Sequence, residues 1–185
     1  MKQAAARSGR ASESIKLIAV TKTVSTDKIR QAVEEGIVDI GENRLQEALP
    51  KREELRDLRL TWHFIGHLQT NKAKKVAEHF DWIQCVDRRE LAEKLNQAAS
   101  KTLPVLVEVN TGGEASKSGM DPRDLPAFIE KFSDYDRLSL RGLMAIPPFF
   151  DNPEDNRPFS FCGRDWILVS SDWKKESICE GSSSR

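Results

Sequence analysis

Short runs of β-branched and apolar residues alternate along this chain with longer amphipathic stretches, and that rhythm restricts the fold more than any other feature. The strand candidates are Lys16 to Lys22, Val38 to Gly41, Thr61 to Gly66, Trp82 to Val86, Val105 to Asn110 and Ser139 to Ile146. They recur about every 20 to 25 residues up to the fifth, the length a strand, a turn and a crossover helix require in a parallel α/β architecture. The intervening segments carry helix punctuation. Ser25 or Thr26 opens a helix that runs to about Glu35 and stops at Gly36. Asp87 is placed to cap a helix over Arg88 to Ala99, with Leu91 and Leu95 on one face and Glu90 opposite Lys94 on the other. Asp121 and Pro122 open another, whose buried stripe is Leu125, Phe128, Ile129 and Phe132.

The rhythm fits a closed barrel or an open doubly wound sheet. A doubly wound nucleotide binder needs a glycine-rich turn after its first strand, whereas Lys22 is followed by Thr-Val-Ser-Thr-Asp. That favours a (β/α) barrel, although six strand candidates fall short of the eight strands and about 250 residues of a complete one. Residues 1–157 are accordingly expected to form an incomplete barrel domain. From about Pro158 the texture changes to a tail, 158–185, with two of the three cysteines, two of the four tryptophans, abundant serine and no βα rhythm. A frameshifted or disordered tail accounts for that break.

Composition removes several classes of function. Lysine plus arginine equal aspartate plus glutamate at 29 each, so no net field attracts nucleic acid or an acidic membrane. No apolar run approaches the roughly 20 residues needed to span a bilayer. Cys85, Cys162 and Cys179 are odd in number and lack metal-ligand spacing, which points to a reducing cytoplasm without structural zinc. The acid-free start MKQAAARSGRAS has the composition of a transit peptide, but Ala4 to Arg7 reads equally as a helix end closed by Gly9.

Lys22 is the most informative residue. It ends an apolar strand, and in α/β barrels the carboxyl ends of strands handle ligands. A partly desolvated amine there is a nucleophile toward carbonyls; the alternative is a strand-end lysine reaching solvent. Gly41-Glu42-Asn43 closes the next strand, where glycine permits close backbone approach and Asn43 offers a donor and an acceptor, or else turns the chain into a helix. Period-two alternation sets His63 and Ile65 against Trp62 and Phe64, so His63 lines the interior near the site or is a hydrogen-bonded core residue. His67, Gln69 and Asn71 follow in the loop. Glu114 to Gly119 reads as a polar loop over the barrel mouth, and Arg141 to Pro148 as a buried strand in which Met144 packs on a ring or in the core.

Taken in order, Val20-Thr21-Lys22, Gly41-Glu42-Asn43, Trp62-His63-Phe64-Ile65-Gly66 with Gln69 and Asn71-Lys72, Lys117-Ser118-Gly119, and Arg141-Gly142-Leu143-Met144-Ala145-Ile146-Pro147 closely resemble the pyridoxal phosphate homeostasis protein family. The resemblance runs from about Ala4 to about Arg157. It implies a barrel like the N-terminal domain of alanine racemase, with pyridoxal 5′-phosphate held as a Schiff base on Lys22 and Asn43, His63 and Met144 around it. It further implies a cytoplasmic monomer that takes part in vitamin B6 homeostasis without established turnover. The racemase or decarboxylase alternative needs a second proton carrier; the racemase relatives take a tyrosine from another domain, and Tyr135, the one tyrosine here, falls in a helix-to-strand connection. After Arg157 the family pattern would continue with a Ser-Met-Gly-Met-Ser type phosphate loop and a final Arg-x-Gly strand, and neither occurs in the tail.

Overall fold

The structure, a computed structural model, describes residues 2–7, 9, 11–113, 118–146, 151–152 and 155. The Glu114 to Lys117 stretch, Pro147-Pro148 and the tail from Pro158 lie outside the described residues. Helices and strands alternate as α1 (Lys2–Arg7), β1 (Ala19–Val20), α2 (Thr26–Glu34), β2 (Asp39–Glu42), α3 (Leu45–Glu54), β3 (Thr61–Phe64), α4 (Ala73–His79), β4 (Trp82–Val86), α5 (Arg89–Ala98), β5 (Leu103–Glu108), α6 (Leu125–Glu130) and β6 (Leu138–Met144). Sheet order follows chain order. The chain divides into two compact units, Met1–His63 and Phe64–Arg185.

In the first unit β1 pairs with β2 in parallel, Ala19 opposite Ile40 and Val20 opposite Gly41. The predicted strand from Lys16 shrinks to two residues because its lead-in does other work: Lys16 reaches across to the Asp39 carboxylate at 2.9 Å, and Leu17 is half exposed. Helix α2 ends as its sequence requires. Gly36, at φ +89°, donates its N–H to the Val33 carbonyl, and Ile37 donates to Ala32, which together satisfy two carbonyls that the helix end leaves open. Helix α3 was hidden from pattern reading by Pro50, which lacks an N–H and sits inside it. Its Leu45 and Ala48 are buried regardless, and they join Ile29, Ile40, Leu55 and Trp62 in this unit's core.

In the second unit β4, β5 and β6 run parallel, with the register between β5 and β6 slipping by one residue at Arg141. Such runs are buried on both faces and read as continuous apolar sequence; Ile83, Val86, Val105 and Val107 are sealed from solvent. Leu91, Ala92 and Leu95 form the buried stripe of α5, as their spacing predicts. Asp87 does not cap this helix. Arg88 occupies the cap position without a side-chain cap bond, and the Asp87 carboxylate is engaged by the Arg88 guanidinium instead. Asp121 likewise binds the Arg123 backbone N–H in a local turn, and α6 starts later, at Leu125, with Phe128 and the following Phe132 buried and Ile129 half-buried.

Candidate functional site

Parallel strands place their carboxyl ends, and the loops that follow, on one edge of a sheet, so side chains just past β1 and β2 are the natural ligand-handling positions of the first unit. Lys22 lies two residues beyond β1, is exposed to solvent and not partly desolvated as the nucleophile reading of the sequence expected, and makes no hydrogen bond or ion pair among the described residues. Its backbone is held closely on either side. The Thr21 N–H donates to the Gly41 carbonyl at 2.9 Å, continuing the β1–β2 ladder, and the Val24 N–H returns to the Thr21 carbonyl at 3.0 Å. Within that turn Thr23 adopts φ +62°, a left-handed conformation that costs a β-branched residue energy.

Strand β2 is buried along its whole length although it carries a carboxylate at each end. Both are matched by cations. At the amino end the Asp39 Oδ1 lies 2.9 Å from Lys16 Nζ and 2.9 Å from His63 Nε2. Burial by itself raises the Asp39 pKa, but the hydrogen bonds from His63 and Lys16 outweigh it, so the carboxyl sits below its ordinary range. At the carboxyl end Glu42, with no exposed side-chain surface, accepts at Oε1 from Lys51 Nζ (2.7 Å) and from Thr21 Oγ1 (2.7 Å). Lys51 also donates to the Thr21 carbonyl at 2.7 Å. Glu42 Oε2 and Asn43 Oδ1 are buried without a hydrogen-bond partner among the described residues. The sequence singled out Lys22, Asn43 and His63 in this unit. Asn43 follows β2 directly and is half-buried, and His63 is sealed at the amino end of β2, on Asp39. Glu42 stood out only as the middle of Gly41-Glu42-Asn43, with no role of its own, and Lys51 was missed; the one available signal was a glutamate at the end of a strand.

The second unit has its own group at strand carboxyl ends. Glu108 closes β5 and is almost wholly buried; desolvation first, and the neighbouring Asp87 charge second, push its pKa up to about 7. Cys85 on β4 is buried, and desolvation followed by the Glu108 charge pushes its thiol well up. His67 Nδ1 stands 3.7 Å from Asp87 Oδ2 and 3.3 Å from Ser118 Oγ. The segment around Met120 straps this edge: Met120 donates its N–H to the Glu108 carbonyl at 2.7 Å, and Asn110 donates to the Met120 carbonyl at 2.9 Å. Met144, the remaining residue singled out from sequence, ends β6 half-buried, its carbonyl accepting from the Val109 N–H. Among the described residues no group of three or more metal-ligating side chains converges, and no helix is long and apolar enough to cross a membrane.

Comparison with known proteins places this architecture. The family model for the alanine racemase N-terminal domain matches residues 2–161, and the chain belongs to that family. Its fold is accordingly the α/β, TIM-type barrel architecture of that domain, here seen over six parallel strands. The chain is 48% identical over 150 residues to the pyridoxal phosphate homeostasis protein of Pseudomonas aeruginosa, covering 80% of this chain and 65% of that protein. It is 42% identical over 162 residues to the pyridoxal phosphate homeostasis protein of Aquifex aeolicus, covering 86% of this chain and 71% of that one. Among solved structures it resembles PipY of Synechococcus elongatus with PLP bound, at TM-score 0.72 and 39% identity over 84% of this chain and 73% of PipY.

Proposed function

We propose that this chain binds pyridoxal 5′-phosphate through a Schiff base on Lys22 and serves intracellular PLP and vitamin B6 homeostasis without turning over a substrate. The observation that carries the reading is an exposed amine, uncommitted to any hydrogen bond or ion pair among the described residues, set just past the carboxyl end of β1. In its neutral form the Lys22 amine would condense with an aldehyde carbon to a C=N bond, with release of water. The bound cofactor supplies that aldehyde and an electron-withdrawing ring. The first unit fits this chemistry in its donor set: beside Lys22 it holds a buried, unsatisfied acceptor, Asn43 Oδ1, at the next strand end. In this reading Asn43 meets the cofactor's polar edge, while His63, hydrogen-bonded to Asp39 at the amino end of β2, stiffens that strand.

Support for a carrier role comes from the relatives named for homeostasis and from the placement of Tyr135. That side chain stacks edge-on against Phe132, ring centroids 5.3 Å apart, at the amino end of β6, whereas Met144 marks the carboxyl end of the same strand. A phenol there is no acid/base partner for chemistry at strand carboxyl ends. The proposal includes a monomeric, cytoplasmic protein without a nucleic-acid partner, in keeping with its balanced charge. The test is to titrate purified protein with pyridoxal phosphate, reduce with borohydride and locate the modified peptide by mass spectrometry. The expected adduct is on Lys22 and is abolished by Lys22→Ala; an unlabelled protein, or labelling that survives Lys22→Ala, overturns the reading.

A further inference from the structure

We infer that Glu42 and Lys51 are positioning residues for Lys22: their sealed ion pair fixes the strand-end turn that carries the Lys22 amine. The inference rests on the reading of Lys22 as the cofactor lysine. Thr21, the residue before Lys22, has each of its polar groups engaged. Its N–H goes to Gly41, its hydroxyl to Glu42 Oε1, and its carbonyl accepts from both Lys51 Nζ and the Val24 N–H. Glu42 and Lys51 thus grip Thr21 from two sides, while Val24 closes the turn around Lys22 and Thr23.

Two features argue that this grip serves geometry more than stability. Thr23 holds φ +62°, a conformation that persists only where the surroundings over-determine it. The fixed Thr21 carbonyl is the acceptor that does so, because the Val24 bond spanning Thr23 ends on it. The pair itself is also an uneconomical way to fill space. Glu42 is fully buried, its Oε2 has no partner among the described residues, and Lys51 is nearly buried with it. Apolar residues of similar volume commonly stabilise such a position as well or better. What they would not supply is a cation that bonds both the strand-end carbonyl and the neighbouring carboxylate.

The test compares the full-length wild type with Glu42→Gln/Lys51→Met, which removes both charges together and strands neither. Without cofactor, the Val24 amide is expected to exchange with deuterated water at least tenfold faster in the double variant, while the Ile37 amide at the end of α2 keeps its protection. With pyridoxal phosphate, the apparent Kd is expected to rise at least tenfold, and the pH at which the Schiff-base absorbance develops is expected to shift. Lys51→Arg, which keeps donors for both acceptors, is expected to retain most of the wild-type pH profile. Unchanged Val24 protection overturns the inference, and so does an unchanged Kd with an unchanged pH profile. Should the double variant lack a cooperative unfolding transition, Thr21→Val, which releases the Glu42 side of the grip and leaves both charges paired, is judged by the same criteria. Failure of the wild type to label on Lys22 defeats the cofactor reading instead, and the Val24 measurement, made without cofactor, still decides whether the pair positions the turn.

Discussion

His63 Nε2 lies 2.9 Å from Asp39 Oδ1, and Lys16 reaches the same oxygen from the lead-in to β1. The hydrogen bonds lower the Asp39 pKa despite its burial, so the folded state holds the proton less tightly than the unfolded chain does. The stability this contributes is complete above the unfolded aspartate value of about 3.9 and disappears as pH falls through the lower folded value. Asp39→Asn is expected to cost about 1–3 kcal/mol at neutral pH by urea unfolding. It should also flatten the acid limb of the stability curve; a variant with the wild-type acid limb would count against this assignment.

Gly119 adopts φ +117°, and a Cβ there would stand 2.6 Å from the Asn110 nitrogen and 2.8 Å from the Val109 carbonyl carbon. Both obstacles are backbone, so no side chain can swing aside. Gly119→Ala is expected to cost about 2–4 kcal/mol and to release the Met120 bridge to Val109. Amide exchange at Met120 and Asn110 is the measurement, and retained protection at both would refute it.

The elements were legible in the sequence wherever local chemistry and tertiary packing ask for the same thing. Gly36 stops α2 because only a left-handed residue completes that cap, and the Leu91–Leu95 stripe buries as its spacing requires. The alternation of β and α, and Lys22 at a strand end, followed from the same local signals. What escaped was decided by contacts distant in sequence or by local chemistry that mimics another signal. Pro50 disguised α3, and with it Lys51, whose role comes from reaching Glu42 and Thr21. Asp87 read as a cap because Asp before a helical run usually is one, but the adjacent guanidinium and His67 compete for its charge. Glu108 passed as one residue of a strand, since nothing local reveals that a carboxyl is being desolvated.

Cys85 tests the packing of the second unit directly. Its thiol is sealed, and desolvation followed by the Glu108 charge holds it protonated far above neutral pH. Thiolate is the species that alkylates. Iodoacetamide at pH 8 is expected to modify Cys85 at least about a hundredfold more slowly in the native protein than in denaturant. Quantifying the Cys85 peptide by mass spectrometry checks it, and comparable rates in the two states would contradict the burial.

Glu108 gives the opposite pH signature to Asp39. Burial, then the Asp87 charge, lifts its folded pKa to about 7, so the folded protein favours the protonated carboxyl. The stability from holding that proton is present below the unfolded glutamate value of about 4.3 and is lost as pH rises through about 7. Glu108→Gln mimics the protonated form at every pH. It should therefore match the wild type near pH 4 and exceed it at pH 8 by about 1–2 kcal/mol, a figure discounted for the solvent that reaches the strand end. Removing the charge also takes the Glu108 contribution off the Cys85 thiol, so native alkylation of Cys85 at high pH should be faster in Glu108→Gln than in the wild type. Urea unfolding at the two pH values decides the matter: a variant less stable than wild type at pH 8 would mean that ionised Glu108 has a partner worth more than its desolvation.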